Sequence, residues 1–255
     1  MSQERKEKIR TLLKAIETGD PEAVAVVNEA QYIQHNPQTH EGSEGLAALF
    51  ARLAKTSPRV NLVRVFSDGD FVFGHTEYDF STRRIGFEVF RFDGPHAVEH
   101  WDNIQPRRGP NASGHSMVDG ETKATDLHLT EANRQSARQL VEEVLIERRL
   151  ERLGDFVHPS VLTQHHPELE DGPEALRAHY EATSEGGAPT IEYQRLHRVL
   201  VEGSFALCVT EGRRAGVHTS FYDLWRFEQG RVVEHWNTTE KVPDPSEWKN
   251  NNGKC

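Results

Sequence analysis

Cysteine is scarce in this chain, which has two among its 255 residues. Cys208 lies in an apolar run typical of a strand, and Cys255 is the final residue of the sequence. A structural disulfide between them is therefore not expected, and no cysteine pair has the spacing of a metal-binding motif. Reduced cysteines favour a cytoplasmic location.

Long hydrophobic runs are missing too. No apolar stretch approaches the roughly 20 residues that span a bilayer, and residues 1–8 are charged, unlike a signal peptide. The formal net charge is −10, and the lysines and arginines form no run or stripe. Because phosphate-rich partners require clustered cations, neither nucleic acid nor a membrane is expected as a partner.

The sequence also lacks the motifs of several enzyme classes. It contains no glycine-rich phosphate loop, no Gly-x-Ser-x-Gly elbow and no dinucleotide fingerprint. Covalent catalysis and nucleotide cofactors therefore have no support, and no cofactor is expected.

What the chain does contain is a repeat. Gln34-His35-Asn36-Pro37 returns about 130 residues later as Gln164-His165-His166-Pro167, and Glu99-His100-Trp101-Asp102 returns as Glu234-His235-Trp236-Asn237. Further matches between these motifs keep register, which indicates one duplicated domain. We expect a first domain at residues 1–110, a linker at 111–127, a second domain at 128–243 and a loosely held tail at 244–255.

Each half begins with apolar residues at helical spacing and continues with alternating apolar residues. In the first half this predicts helices near 9–16, at 21–30 and after Ser43, then strands at 60–66, 70–79, 85–93 and 96–105. In the second half it predicts helices around 140–145, 150–156 and 173–180, then strands at 191–201, 204–212, 216–227 and 231–240. Helices followed by antiparallel strands are typical of an α+β fold, and the space between sheet and helices is a natural ligand pocket.

Strand alternation suggests an acid–base site in the first half. His75 and Glu77 share one face, and so do His100 and Asp102. If both faces point inward and His35 lies at the rim, three imidazoles and two carboxylates converge on one apolar cavity. Imidazoles titrate near neutrality, and burial raises the pKa of a carboxyl toward the working range.

Structural roles remain open for several of these residues. Trp101 is favoured as core packing, and His35 can equally bridge backbone groups in its loop. Glu88 and Glu99 are expected on solvated or interface faces, paired with Arg91 and Arg226. His35, His75 and His100 could instead ligate a metal ion, although Val209 stands at the position of His75 in the second half.

The halves differ at positions that matter for this hypothesis. Asp102 becomes Asn237, which cannot act as a carboxylate base, and Tyr32 becomes Leu162. The chemistry is therefore expected in the first half. The second half carries His166 and His218 in addition, so it could hold a different ligand or serve as a structural partner.

At these motifs the chain resembles SnoaL-like proteins of the nuclear transport factor 2-like superfamily. The resemblance rests on residues 32–37, on Phe90-Arg91-Phe92-Asp93-Gly94 and on Val98-Glu99-His100-Trp101-Asp102. It is nearest to members described as predicted aldol-condensation enzymes. It implies two tandem cone-shaped α+β barrels, in which helices close a curved antiparallel sheet over a pocket. Relatives include polyketide cyclases and ketosteroid isomerase as well as proteins that only bind ligands.

The resemblance also implies that the two domains pack as an intramolecular pseudo-dimer, since single-domain relatives pair through their sheets. Our first hypothesis is an acid–base isomerase, cyclase or lyase acting on a small apolar carbonyl compound, with Asp102 as base and His100 or His35 as proton donor. A non-catalytic binding protein and the metal-dependent enzyme are the alternatives. The catalytic candidates are His35, His75, His100 and Asp102. The substrate-binding candidates are Tyr32, Phe73, Glu77, Trp101, His165, His166, His218 and His235.

Overall fold

A computed structural model describes residues 2–28 and 30–255. The chain forms two compact units. The N-terminal unit comprises Met1–Arg107 and Val242–Cys255, and the C-terminal unit comprises Arg108–Lys241. The expected linker thus belongs to the C-terminal unit, and the expected tail belongs to the N-terminal unit. The tail is not loosely held, since Asn250 is 6% exposed and Lys254 only 4% exposed.

The N-terminal unit begins with its helices. Helix α1 (Ser2–Lys14) is followed by 3-10 segments at Ala15–Glu17 and Pro21–Val26, and then by α2 (Gly42–Ala54). In place of the helix expected at 21–30 there is the shorter Pro21–Val26 segment, and part of that expectation, residue 29, lies outside the described residues. Asp20 caps this segment, because its carboxylate accepts a hydrogen bond from the Glu22 N–H (2.9 Å).

One five-stranded sheet completes the N-terminal unit. Its strands are β1 (Ile33–Gln34), β2 (Arg59–Asp68), β3 (Phe71–Asp79), β4 (Arg83–Asp93) and β5 (His96–Pro106). Their order is β1-β5-β4-β3-β2, with β1 parallel to β5 and every other pair antiparallel. Register shifts between Leu62 and Arg64 and between Arg91 and Phe92 add local bends to the sheet.

The two faces of this sheet have different surroundings. Phe90 and Phe92 of β4 pack in one core with Leu12 of α1 and Phe50 of α2, so their face is the helix-facing face. Side chains alternate along a strand, so Phe87 of the same strand points to the opposite face. Only every second residue of a strand therefore points toward the helices.

The C-terminal unit repeats this plan. Helix α3 (Thr130–Gln139) continues into a π-helical segment at Leu140–Ile146, followed by α4 (Leu153–Phe156) and α5 (Pro173–Glu181). The strands are β6 (Thr163–Gln164), β7 (Ile191–Glu202), β8 (Phe205–Arg214), β9 (Val217–Glu228) and β10 (Arg231–Lys241), in the order β6-β10-β9-β8-β7. The same topology in both units confirms the predicted duplication and the α+β class.

Among the described residues, no helix is both long and apolar enough to cross a membrane.

Candidate functional site

A buried carboxylate–imidazole pair lies at the centre of the helix-facing side of the N-terminal sheet. Glu88 of β4 and His100 of β5 are 3% and 7% exposed, and Glu88 Oε2 lies 2.7 Å from His100 Nε2. Tyr78 of β3 donates its hydroxyl to the other oxygen of Glu88 at 2.5 Å. Three neighbouring strands thus supply one connected hydrogen-bond network.

Gln34 of β1 sets the tautomer of His100. Its Oε1 accepts the backbone N–H of Asn36 (2.9 Å), an obligatory donor, so the amide oxygen must face this way. The same oxygen lies 2.9 Å from His100 Nδ1, which must therefore carry a hydrogen. Only His100 Nε2 is left to make the hydrogen bond with Glu88.

Asp102 adds a second carboxylate beside this pair. It stands two residues after His100 on the same face, pairs in register with Glu88 and is 3% exposed. Its Oδ1 accepts from Lys254 Nζ at 2.8 Å, and its Oδ2 accepts from Asn36 Nδ2 at 2.5 Å. We call Glu88, His100 and Asp102 the buried cluster.

The two carboxyl groups of the buried cluster have opposite pKa shifts. Burial raises the pKa of Glu88, and the charge of Asp102 adds to this, although bonds from His100 and Tyr78 oppose it. Burial also acts to raise the pKa of Asp102. The Lys254 ammonium, the nearby His100 and the hydrogen bonds from Lys254 and Asn36 outweigh burial, so the pKa of Asp102 lies below its usual range. The surroundings therefore favour the protonated form of Glu88 and the ionised form of Asp102.

Tyr32 completes the site. It is 4% exposed, and its hydroxyl has no hydrogen-bond partner among the described residues. Burial, followed by the charges of Glu88 and Asp102, raises the pKa of Tyr32 well above its usual value. The phenol therefore stays protonated at neutral pH. Its hydroxyl group can donate a hydrogen bond to a ligand.

The C-terminal unit contains a related network. Asp223 of β9 takes the place of Glu88, and its Oδ1 lies 3.0 Å from Nε2 of His235. His235 Nδ1 faces Gln164 Oε1 at 3.1 Å, and Tyr193 donates its hydroxyl to Asp223 Oδ2 at 2.9 Å. Asn237 replaces Asp102, so this network has one carboxylate where the buried cluster has two.

The phenol of the second network comes from a different strand. Gly212 of β8 is the counterpart of Tyr78, and a Cβ atom there would lie 1.8 Å from the Glu192 carbonyl oxygen. Only glycine fits, and Tyr193 of β7, which pairs with Gly212, supplies the hydroxyl instead. A buried carboxylate held by a tyrosine and a histidine is therefore retained in both units, although the residues changed.

A family model described as SnoaL-like domain matches residues 9–102 and again residues 137–235. The chain belongs to this family. The two matches cover the two sheets and their helices separately, which agrees with a tandem pair of α+β domains. No curated protein matches the chain significantly.

Three solved structures are each similar to less than half of this SnoaL-like chain. TsrD from Streptomyces laurentii is 19% identical, over 40% of this chain and 89% of its own, with a TM-score of 0.36. An LEH-like epoxide hydrolase of M. tuberculosis is 18% identical, over 41% and 84%, with a TM-score of 0.36. A de novo designed protein with a curved β-sheet is 19% identical, over 42% and 89%, with a TM-score of 0.37. Likenesses this low say nothing about the reaction.

The expected convergence of all the N-terminal candidates is wrong. His75 pairs with Phe87, whereas Asp102 pairs with Glu88, and adjacent residues of β4 point to opposite faces. His75 therefore lies on the sheet face away from the buried cluster, where it stacks on Phe87 and bonds to Arg64 at 2.7 Å. The proposed three-histidine metal site fails for the same reason.

His35 is not part of the buried cluster either. Its Nε2 lies 2.9 Å from Glu99 Oε1, its Nδ1 lies 2.9 Å from the Gly253 carbonyl oxygen, and its ring stacks on Trp101. Phe73 and Glu77 share the sheet face of His75, away from the buried cluster. Phe73 packs against Phe66. Glu77 forms an ion pair with Arg107.

In the C-terminal unit the structure separates the candidate histidines. His165 pairs with Glu234, as His35 does with Glu99. His218 is exposed, beside Glu211. His166 is buried near His179, and its Nδ1 accepts the Glu168 N–H at 3.0 Å. Burial first, then neighbouring cationic groups, lower the pKa of His166 to about 2, so it is a neutral core residue at pH 7.

Glu88 is the main residue of the candidate site that the sequence did not predict. It was expected on a solvated or interface face, yet it is 3% exposed and bonds to His100. A signal was present, because an acidic residue recurs at the matching position, Asp223. Lys254 had no comparable signal, since it lies in a polar segment 152 residues from Asp102.

Proposed function

We propose that the N-terminal unit catalyses proton transfer on a small, mostly apolar carbonyl compound. The observation that carries the proposal is the buried cluster together with Tyr32. A carboxylate–imidazole hydrogen bond, a second carboxylate with a lowered pKa and a phenol without a hydrogen-bond partner among the described residues lie on the helix-facing side of the sheet. Such groups can remove a proton next to a carbonyl and stabilise the enolate that results. Isomerisation, cyclisation and aldol chemistry all begin with this step.

Asp102 is the base in this proposal, and Tyr32 donates a hydrogen bond to the developing oxyanion. The Glu88–His100 pair holds a proton that can be passed on to product. Lys254 covers Asp102 Oδ1, so a substrate must displace its ammonium group. Once that cation leaves, burial acts on Asp102 without opposition from Lys254, and Asp102 becomes a stronger base.

The test uses a panel of small apolar ketones and enones in D₂O. Proton NMR monitors the exchange of hydrogen for deuterium at the carbon next to the carbonyl of each compound. We expect the protein to accelerate exchange for part of this panel. Asp102→Asn should lower the enzymatic rate about 100-fold or more, the usual contribution of a general base. Asp223→Asn, which removes the carboxylate of the C-terminal network, should leave the rate nearly unchanged. Equal rates for Asp102→Asn and the unmodified protein would contradict the proposal.

A non-catalytic binding role is the second candidate, and one observation favours it. Each oxygen of Glu88 and Asp102 already accepts a hydrogen bond from within the unit. A binder would take up ketones with a measurable affinity, which Asp102→Asn would change, but it would not accelerate exchange. The same NMR samples therefore decide between the two functions.

A further inference from the structure

Residues 111–120 bring two potential metal ligands to a histidine of the C-terminal sheet. His115, Asp119 and His165 each offer one ligand atom within 4.8 Å of the others. The side chain of His165 is fully buried, whereas those of His115 and Asp119 are 33% and 47% exposed. An ion could therefore enter from solvent and still reach a buried imidazole.

The ring of His165 is held in the orientation of a ligand. Its Nε2 lies 2.9 Å from Glu234 Oε1, and Arg226 Nε donates to the other oxygen of Glu234 at 2.5 Å. The ring also stacks on Trp236, with centroids 4.6 Å apart. A carboxylate behind one nitrogen of a histidine fixes its tautomer and makes the other nitrogen a better ligand.

The remaining nitrogen of His165 faces acceptors only. Nδ1 lies 2.7 Å from Asp119 Oδ1 and 2.8 Å from the Ser116 carbonyl oxygen. Neither oxygen can donate a hydrogen bond. A hydrogen on Nδ1 can bond to these two oxygens, and a metal ion that replaced this hydrogen could bind the nitrogen and both oxygens together.

His115 has the same kind of support. Its Nε2 lies 3.1 Å from Asp171 Oδ2, which leaves its other ring nitrogen available, and its ring centroid is 5.4 Å from that of His165. Each histidine of the group thus has a carboxylate behind one nitrogen. That arrangement recurs at metal sites, where it orients both ligands.

The backbone is also fitted to this geometry. Trp236 Nε1 donates to the Asp119 carbonyl oxygen at 2.9 Å. The next residue, Gly120, has φ +89°, and a Cβ atom on it would lie 2.1 Å from Glu234 Oε1. Only glycine lets the segment approach so closely. In the N-terminal unit, His35 has a matching carboxylate and carbonyl oxygen, but the described residues place no second histidine or aspartate beside it.

We propose that His115, Asp119 and His165, with the Ser116 carbonyl oxygen, form a site for one divalent transition-metal ion such as Zn²⁺. Two imidazoles, a carboxylate and a carbonyl oxygen make a four-coordinate set that suits zinc. The ion would tie residues 111–120 to the sheet of the C-terminal unit. It would stabilise this unit without taking part in the chemistry of the buried cluster.

The experiment uses the full chain with Cys255→Ser, so that this thiol does not bind metal. After treatment with a chelator and its removal, Zn²⁺ is titrated calorimetrically and Co²⁺ is followed by its visible absorption. We expect one bound ion per chain, a Co²⁺ spectrum typical of nitrogen and oxygen ligands in four-coordinate geometry, and a higher unfolding temperature with saturating Zn²⁺.

Variants of the exposed ligands avoid disturbing the core. His115→Ala and Asp119→Ala should each weaken Zn²⁺ binding at least ten-fold, and Asp171→Asn should weaken it to a smaller extent. His128→Ala, an exposed histidine of the same unit, is the matched control and should bind like the parent protein. Failure of the parent protein to bind Zn²⁺, or full affinity in both His115→Ala and Asp119→Ala, would overturn the proposal.

Discussion

Lys254 Nζ lies 2.8 Å from Asp102 Oδ1, and both side chains are almost completely buried. This pair places a cation from the chain itself on the carboxylate that we propose as the base. Loss of Lys254 should therefore affect both the stability of the N-terminal unit and the access of a substrate to Asp102. The pair can be tested through stability and, once a substrate is found, through activity.

Lys254→Met should destabilise the N-terminal unit at pH 7. The substitution leaves the buried Asp102 charge without its partner, which costs about 3–5 kcal/mol in comparable cases. Denaturant unfolding measures the loss. Lys249→Met, an exposed lysine of the same segment, should change stability by about 0.5 kcal/mol or less. Adding Asp102→Asn to Lys254→Met should restore much of the stability, and no recovery would contradict a specific role for the pair.

The acid limit of activity should depend on Lys254. Since Lys254 and its neighbours lower the pKa of Asp102, the base stays ionised into the acid range, and kcat/KM should not fall between pH 8 and pH 5 because of this group. Lys254→Met removes the main opposing cation, so the pKa of Asp102 should rise and the acid limb should move to higher pH. A limb that does not move would mean that Asp102 is not the titrating base.

Two buried tyrosines should respond in opposite ways to loss of the hydroxyl. Tyr78→Phe removes the hydrogen bond to Glu88 and should destabilise the protein by about 1–3 kcal/mol. Tyr32→Phe removes a hydroxyl without a partner, so stability should be unchanged or slightly higher, while the exchange rate falls. Each variant serves as the control for the other. A stability loss in Tyr32→Phe equal to that in Tyr78→Phe would show that Tyr32 is an ordinary core residue.

His166 should make the C-terminal unit sensitive to acid. Its pKa is about 2 in the folded protein and about 6.5 in the unfolded chain, so the unfolded state binds more protons below pH 6.5. The free energy of unfolding should therefore fall by up to about 1.4 kcal/mol per pH unit as pH drops below 6.5. His166→Asn, the residue found at the matching position 36, should reduce this slope. His128→Asn, an exposed control, should not, and equal slopes in both variants would exclude His166 as the cause.

Some expectations from the sequence remain predictions. The cytoplasmic location and the packing of the two domains as a pseudo-dimer stay predictions. The roles of the candidate site residues likewise await the exchange experiments.

The sequence by itself determined the duplication, the α+β class and most strands to within a few residues. These follow from local periodicity and from matches within the chain, as with the strand expected at 231–240 and observed at Arg231–Lys241. The tertiary structure alone decided which side chains meet. Alternation along one strand does not say which face is covered by helices, so His75 and His100 looked equivalent although they lie on opposite faces. Lys254 reaches Asp102 only because the folded chain brings distant segments together, and no local pattern records such a contact.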